Sequence, residues 1–124
     1  LKRKMAAAYG QGLSGVAGLT LPREMPWGRS VYWMYAVLVE RVFGQSREEL
    51  TAGLKDKGVD TRTFFIPVHE QPVFQSSFVP GEDSFPVSVE LSKKGFYLPS
   101  GLALTAEQIS QVCRAVEMVR SRKA

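Results

Sequence analysis

The sequence predicts an α+β fold, a small antiparallel or mixed sheet backed by helices, and three observations carry that expectation. Ser46-Arg47-Glu48-Glu49 and Thr105-Ala106-Glu107-Gln108 both have capping-box spacing, and each precedes apolar residues at helical intervals. Val31 to Val39 is a continuous aromatic and β-branched run without polar alternation, which fits a strand buried on both faces. Four prolines between Pro67 and Pro86 exclude long regular structure there.

Taken in order, residues 1–13 are helical in pattern. The stretch opens on Leu1 without an N-cap residue, which suggests a piece of something longer. Gly10, Gly12, Gly15 and Gly18 break the pattern up, and a loop with Pro22, Pro26 and Gly28 follows. After the strand at 31–39 comes the helix capped by Ser46, with Leu50 and Leu54 on its apolar side. Gly58 ends it in the left-handed conformation that glycine adopts at little cost. Residues 59–65 read as a second strand stopped by Pro67. Single turns fit after Pro67 and Pro72, a short helix fits 84–93 with Pro86 in its first turn, and Gly95 to Pro99 reads as a short strand. The last helix, about Thr105 to Arg120, places Ile109, Val112, Cys113, Val116 and Val119 on one face, expected to pack on the sheet.

The 124 residues fit one domain, 1–124, able to bury roughly two-thirds of the unfolded chain's surface. The net charge of +4 invites a nucleic-acid reading, but its distribution argues against one. Lys2, Arg3, Lys4, Arg120, Arg122 and Lys123 lie at the two ends; without them ten basic residues face twelve acidic ones, a net of −2. Nucleic-acid binders carry a clustered basic face on the folded body. No apolar run approaches the roughly 20 residues of a membrane span. A single cysteine, Cys113, allows no intrachain disulfide and fits a reducing cytoplasm.

Residues that could carry chemistry are few. His69, the one histidine, could serve as a general base or substrate hydrogen-bond partner. Alternatively it is structural, holding its proline-bounded turn through the ring nitrogens, and the absence of a neighbouring nucleophile in sequence favours that reading. Arg62, between Thr61 and Thr63, could grip a carboxylate or phosphate with its planar fork of donors, or pair as a strand-edge cation with Asp60 or Glu90. On a regular strand Phe64 and Phe65 point to opposite faces, so one is expected in the core and the other towards solvent or a partner. The cluster of Tyr32, Trp33 and Tyr35 is expected to be core. His69 and Cys113 supply two of the three or four ligands a zinc site needs, and no phosphate-binding glycine motif is present. No catalytic, cofactor-binding or metal-ligating set is complete within the chain.

The stretch Val59-Asp60-Thr61-Arg62-Thr63-Phe64-Phe65-Ile66-Pro67-Val68-His69-Glu70-Gln71-Pro72-Val73-Phe74 resembles the DegT/DnrJ/EryC1/StrS aminotransferases, with their Thr-Arg strand, aromatics, and Pro-x-His-x-Gln-Pro followed by an aromatic. The likeness extends to Arg3, Ala7, Tyr9 and Leu13, similar to the end of the family's interdomain helix, and to Val31-Tyr32-Trp33-Met34-Tyr35 and Leu98-Pro99 with Leu102 and Thr105-Ala106-Glu107-Gln108-Ile109. The paired phenylalanines are most similar to the perosamine-synthase branch. The resemblance implies the C-terminal small domain of a fold-type I enzyme, dimeric, with pyridoxal phosphate on a lysine of a large domain absent here. It further implies a nucleotide-linked keto-sugar as substrate and glutamate as amino donor. Phe64, Phe65 and His69 are then the pocket-side positions, with Arg62 and Gln71 as organisers. The cofactor lysine and its partners have no counterpart in these residues, so this chain by itself is expected to bind no cofactor and to be inactive. The competing expectations are a stand-alone α+β small-molecule-binding or regulatory module and, against the acidic body, an RNA-binding sheet.

Overall fold

A computed structural model of the chain describes residues 1–78 and 85–121; the expected helix start at Ser84, and Arg122 and Lys123 of the basic terminus, lie outside them. The order is α1 (Lys2–Leu13), β1 (Leu19–Thr20), β2 (Tyr35–Val39), α2 (Arg47–Lys55), β3 (Arg62–Thr63), α3 (Pro86–Lys94), β4 (Gly95–Leu98) and α4 (Ala106–Ser121). Short 3₁₀ turns occupy Arg41–Phe43, Val68–Glu70 and Pro72–Ser77. The sheet is antiparallel throughout, in the order β1-β2-β4-β3.

Both capping boxes form. Ser46 Oγ accepts from Glu49 N while the Glu49 carboxylate accepts from Ser46 N; Thr105 Oγ1 accepts from Gln108 N while the Gln108 amide oxygen accepts from Thr105 N. After α2, Gly58 at φ 75° reverses the chain, with Gly58 N donating to Lys55 O and Val59 N to Leu54 O, both at 2.9 Å.

One core unites the inner face of the sheet with α1, α2 and α4. Tyr35, Val37 and Val39 of β2 and Phe96 and Leu98 of β4 are buried, as are Tyr9, Leu13, Leu50, Leu54 and the α4 stripe from Ile109 to Val119. The stripe shares this core with the strands and is flanked by α1 and α2, at close approaches where Gly12 faces Cys113 and Gly53 faces Val119. The Tyr9 and Tyr35 rings meet at 4.8 Å, and the Tyr9 hydroxyl donates to Pro99 O at 2.8 Å. Burial pushes both phenols up, that of Tyr35 to about 12.

Three expectations need correction. The strand read at 31–39 begins only at Tyr35, where pairing with Leu98 starts, since Pro99 lacks the donor to continue β4. It is buried on its inner face alone: Ala36 and Leu38 are half-buried, and Val31 and Trp33 are exposed. The strand read at 59–65 shrinks to Arg62–Thr63, an edge strand whose partner segment is Phe96–Tyr97, while Val59 turns into the core. In addition, β1 forms within the stretch read as a loop, pairing Leu19 with Val39.

The loop from Pro22 to Met34 is held by the first turn of α1. Arg3 donates to both oxygens of Glu24 (2.5 and 3.0 Å) and to Ser30 O (2.8 Å); Ser30 N donates to the same carboxylate at 2.8 Å. The Arg3 hydrogen bond, with that from Ser30, holds the Glu24 carboxyl down at about 2. A carboxyl depressed in the fold adds stability that is present above its ordinary value and lost as pH falls towards the folded one. Thermal midpoints recorded downward from about pH 5 should fall less steeply in Glu24→Gln than in the unmodified chain. Parallel curves would mean the pair contributes nothing.

Candidate functional site

The register of β3 on β4 decides which side of the sheet each candidate occupies. Arg62 pairs with Tyr97 and Thr63 with Phe96. Because Phe96 is in the core, Arg62 and Tyr97 share the outer face. Phe64 stays on that face: Phe64 N donates to Gly95 O, and its ring stacks on Tyr97 at 4.6 Å and 23°. Gly95 makes this possible. A Cβ there would stand 2.3 Å from the Phe64 ring, although the backbone at φ −89° would suit any residue.

Phe65 is 71% exposed and lies 6.3 Å from the Tyr97 ring. Neither phenylalanine enters the core, contrary to expectation. Alternation from Arg62 keeps Phe64 on the outer face, where the glycine lets it lie flat, and the strand ends at Thr63, so Phe65 is not carried to the inner face.

The chain then runs through exposed Ile66 into the two 3₁₀ turns. Gln71 Nε2 donates to Ile66 O at 3.2 Å, and Gln71 N to Val68 O at 3.1 Å, so the amide of Gln71 braces this turn. His69 does not hold it: among the described residues its ring nitrogens make no hydrogen bond. The imidazole packs instead among aromatics, 4.8 Å from Phe85 and 6.0 Å edge-on from Phe78. Arg62 is exposed and, among the described residues, forms no ion pair. Glu90, one partner expected for it, binds Lys94 instead, which also reaches Glu40 at 3.0 Å. Glu90 and then Glu40 push the Lys94 amine up, and Lys94 in turn lowers the Glu40 carboxyl.

These residues border two open hollows. One, of about 520 Å³, runs between Phe64 and Tyr97 on the sheet, Leu91 and Ser88 of α3, and the ring group of Phe85 and His69. The other, of about 770 Å³, lies beyond Phe65 and Ile66 and includes Arg62, Gln71, Trp33 and Met34. Both volumes fall in the usual range for small-molecule sites. The five candidate residues are thus neighbours along one outer surface. Sequence reasoning missed Tyr97, Leu91 and Phe85, and it placed Trp33 in the core. Tyr97 was detectable: it alternates with Phe96 and Leu98, both core-facing.

Among the described residues no group of three or more His, Cys, Asp or Glu could hold a metal, and no helix is long and apolar enough to cross a membrane.

A model of the DegT/DnrJ/EryC1/StrS aminotransferase family matches residues 1–117. The chain belongs to that family. It is 29% identical over 122 residues to the GDP-perosamine synthase of Escherichia coli O157:H7, covering 98% of this chain and 31% of the relative. It is 34% identical over 113 residues to the dTDP-3-amino-3,4,6-trideoxy-alpha-D-glucose transaminase of Streptomyces venezuelae, covering 90% of this chain and 28% of the relative. The structure of S. venezuelae DesV in complex with a ketimine intermediate superimposes with a TM-score of 0.84 at 32% identity, over 98% of this chain and 31% of that one. The chain therefore spans about a third of the length of the relatives it matches.

Family members are pyridoxal-phosphate-dependent aminotransferases. The described residues do not fit that cofactor. A Schiff-base lysine needs a lowered pKa beside groups for the phosphate and ring nitrogen. Lys94 is pushed the other way by two carboxylates, Lys2 is engaged by the carbonyls of Trp33 and Ser100, and no lysine borders either hollow named above.

Gly95→Ala should dislodge Phe64 from Tyr97 and destabilise the domain by about 1–3 kcal/mol, the usual cost of overpacking. Urea unfolding followed by near-ultraviolet circular dichroism reads both effects; an unchanged aromatic signal and midpoint would show that the ring is not seated on Gly95.

Proposed function

We propose that residues 1–124 are the C-terminal small domain of a pyridoxal-phosphate-dependent aminotransferase that acts on nucleotide-linked keto-sugars. In this reading the outer surface of Arg62, Phe64, Phe65, His69 and Gln71 forms one wall of the sugar-nucleotide pocket. The observation that carries it is an aromatic surface left open beside an exposed arginine that forms no ion pair among the described residues, in a chain that covers a third of the sugar aminotransferases it matches. The remaining two-thirds, a large domain, supplies the cofactor lysine and the groups that hold the cofactor. Glutamate is the amino donor, the enzyme is a homodimer, and it works in the cytoplasm.

The chemistry of this wall is binding and exclusion of water, not proton transfer along a complete relay. Phe64, Phe65 and Tyr97 offer apolar faces to a ring. Arg62 offers up to five N–H donors to phosphate or carboxylate oxygens. His69 carries the chain's one imidazole, whose ring nitrogens make no hydrogen bond among the described residues and could meet a substrate hydroxyl or carbonyl. Gln71 keeps the backbone turn under His69 in place. No step of amino transfer is assigned to a side chain of this domain.

Two measurements test the reading. In the whole enzyme, His69→Ala should impair turnover or sugar binding while the cofactor stays bound, because the cofactor's ligands lie elsewhere. Cofactor absorbance and steady-state rates are compared side by side; unchanged kinetics with lowered thermal stability return His69 to a structural role. The 124-residue chain, incubated with pyridoxal phosphate and then reduced, should trap no stoichiometric, site-specific adduct. A trapped adduct together with amino transfer to a keto-sugar nucleotide would overturn the assignment of the cofactor to another domain.

A further inference from the structure

Trp33 combines two properties that ordinarily exclude each other. It is 66% exposed, yet its backbone carbonyl is held by a side chain of α1. Lys2 Nζ donates to Trp33 O at 2.8 Å and also to Ser100 O, tying the residue to α1 and to the end of β4. The preceding Tyr32 sits at φ 47°, a left-handed conformation unfavourable for a bulky residue, with its N–H donating to Ser30 Oγ at 3.1 Å. Ser30 is in turn fixed by the Arg3–Glu24 pair, and the Arg3 guanidinium lies 5.8 Å from the centre of the Tyr32 ring. Strain of this kind persists only where the surroundings over-determine it, and it concentrates at sites of function.

The indole so presented borders the 770 Å³ hollow that also holds Arg62, Phe65 and Gln71. The polar groups there are selective. One N–H of the Gln71 amide is engaged by Ile66 O, which fixes where that side chain sits. What the hollow offers is aromatic surface and the exposed guanidinium of Arg62, which has no carboxylate partner among the described residues. A ligand complementary to that pair is flat and aromatic at one end and anionic at the other. Base-on-aromatic stacking is tolerant of base identity, and arginine grips phosphate oxygens in pairs.

We propose that Trp33 is a substrate-binding residue that stacks the base of a nucleoside diphosphate, the phosphates of which reach Arg62, with Lys2, Arg3 and Glu24 as its positioning residues. The inference rests on the nucleotide-sugar reading above and adds to it the part of the substrate this domain holds and the residues that hold it. Trp27 provides the control: it belongs to the same loop and is 84% exposed, but it does not border the hollow.

The test uses the whole enzyme and a panel of GDP, UDP, CDP and dTDP as probes, with dissociation constants from calorimetry and kinetics on the nucleotide-linked keto-sugar. For the diphosphate that binds best, Trp33→Ala should raise Kd about tenfold or more, while Trp33→Phe, which keeps a stacking face, stays within about threefold. Trp27→Ala should leave Kd unchanged. Arg3→Ala should raise KM with kcat at saturation preserved, and Arg3→Lys should recover part of the loss. An unaltered Kd in Trp33→Ala, or an equal rise in Trp27→Ala, overturns the stacking role while leaving the enzyme's function standing. A wild-type enzyme that binds none of the four diphosphates and aminates no nucleotide-linked sugar overturns the function reading itself.

Discussion

The pairing of β4 with β2 on one side and β3 on the other is the constraint from which the rest of this small domain follows. Only four residues long, β4 alternates Gly95, Phe96, Tyr97 and Leu98. Phe96 and Leu98 close the core against the helices; Gly95 and Tyr97 form the floor on which Phe64 rests. Where Pro99 ends the ladder, three separate anchors converge: the Tyr9 hydroxyl on Pro99 O, Lys2 on Ser100 O, and Ser100 Oγ accepting from Tyr35 N. The length of β4 thereby sets the start of β2, leaves residues 31–34 outside the sheet, and seats α1 against the strand ends.

A consequence is a division of labour between the two faces. The inner face is uniformly apolar and covered by α1, α2 and α4. The outer face is aromatic but only partly covered: α3 borders it without burying a single residue of its own fully. Arg47 of α2 secures that helix by donating to Ser92 O at 2.8 Å, and Lys94 is neutralised by Glu40 and Glu90. Arg62, by contrast, is exposed and forms no ion pair among the described residues. A cation of this kind beside exposed aromatic rings suits an anionic ligand carrying a flat group, as the proposed function requires.

The surface is also stiffened from an unexpected direction. The first turn of α1 contributes Lys2 and Arg3, residues that by charge alone belong to a basic terminus, and both are spent on backbone carbonyls and one carboxylate of the loop before β2. Hydrogen bonds to carbonyls specify geometry where apolar packing is scarce. That loop carries several exposed apolar side chains, Met25, Trp27, Val31 and Trp33 among them, and Tyr32 packs against the core, so hydrogen bonds supplement a limited burial.

The sequence by itself determined what depends on local rules. Both capping boxes, the glycine reversal at Gly58, the apolar stripe of α4, the single turns after Pro67 and Pro72 and the α+β class were legible, because caps, turns and periodicity act within a few residues. The thread from Val59 to Phe74 also carried the family, and the residues of the candidate surface lie within it. Only the tertiary structure decided the rest. How much of Val31 to Val39 becomes strand depends on a partner sixty residues away that ends at Pro99. Which face Phe64 takes depends on the register of β3 on β4, and how closely it lies there depends on the missing side chain of Gly95. That Glu90 pairs with Lys94 and not with Arg62 is visible only in the structure. Pattern reading assigns each segment its own preference, but pairing partners and close approaches are settled between segments, and at Trp33, Phe64 and Arg62 those long-range terms outweighed the local ones.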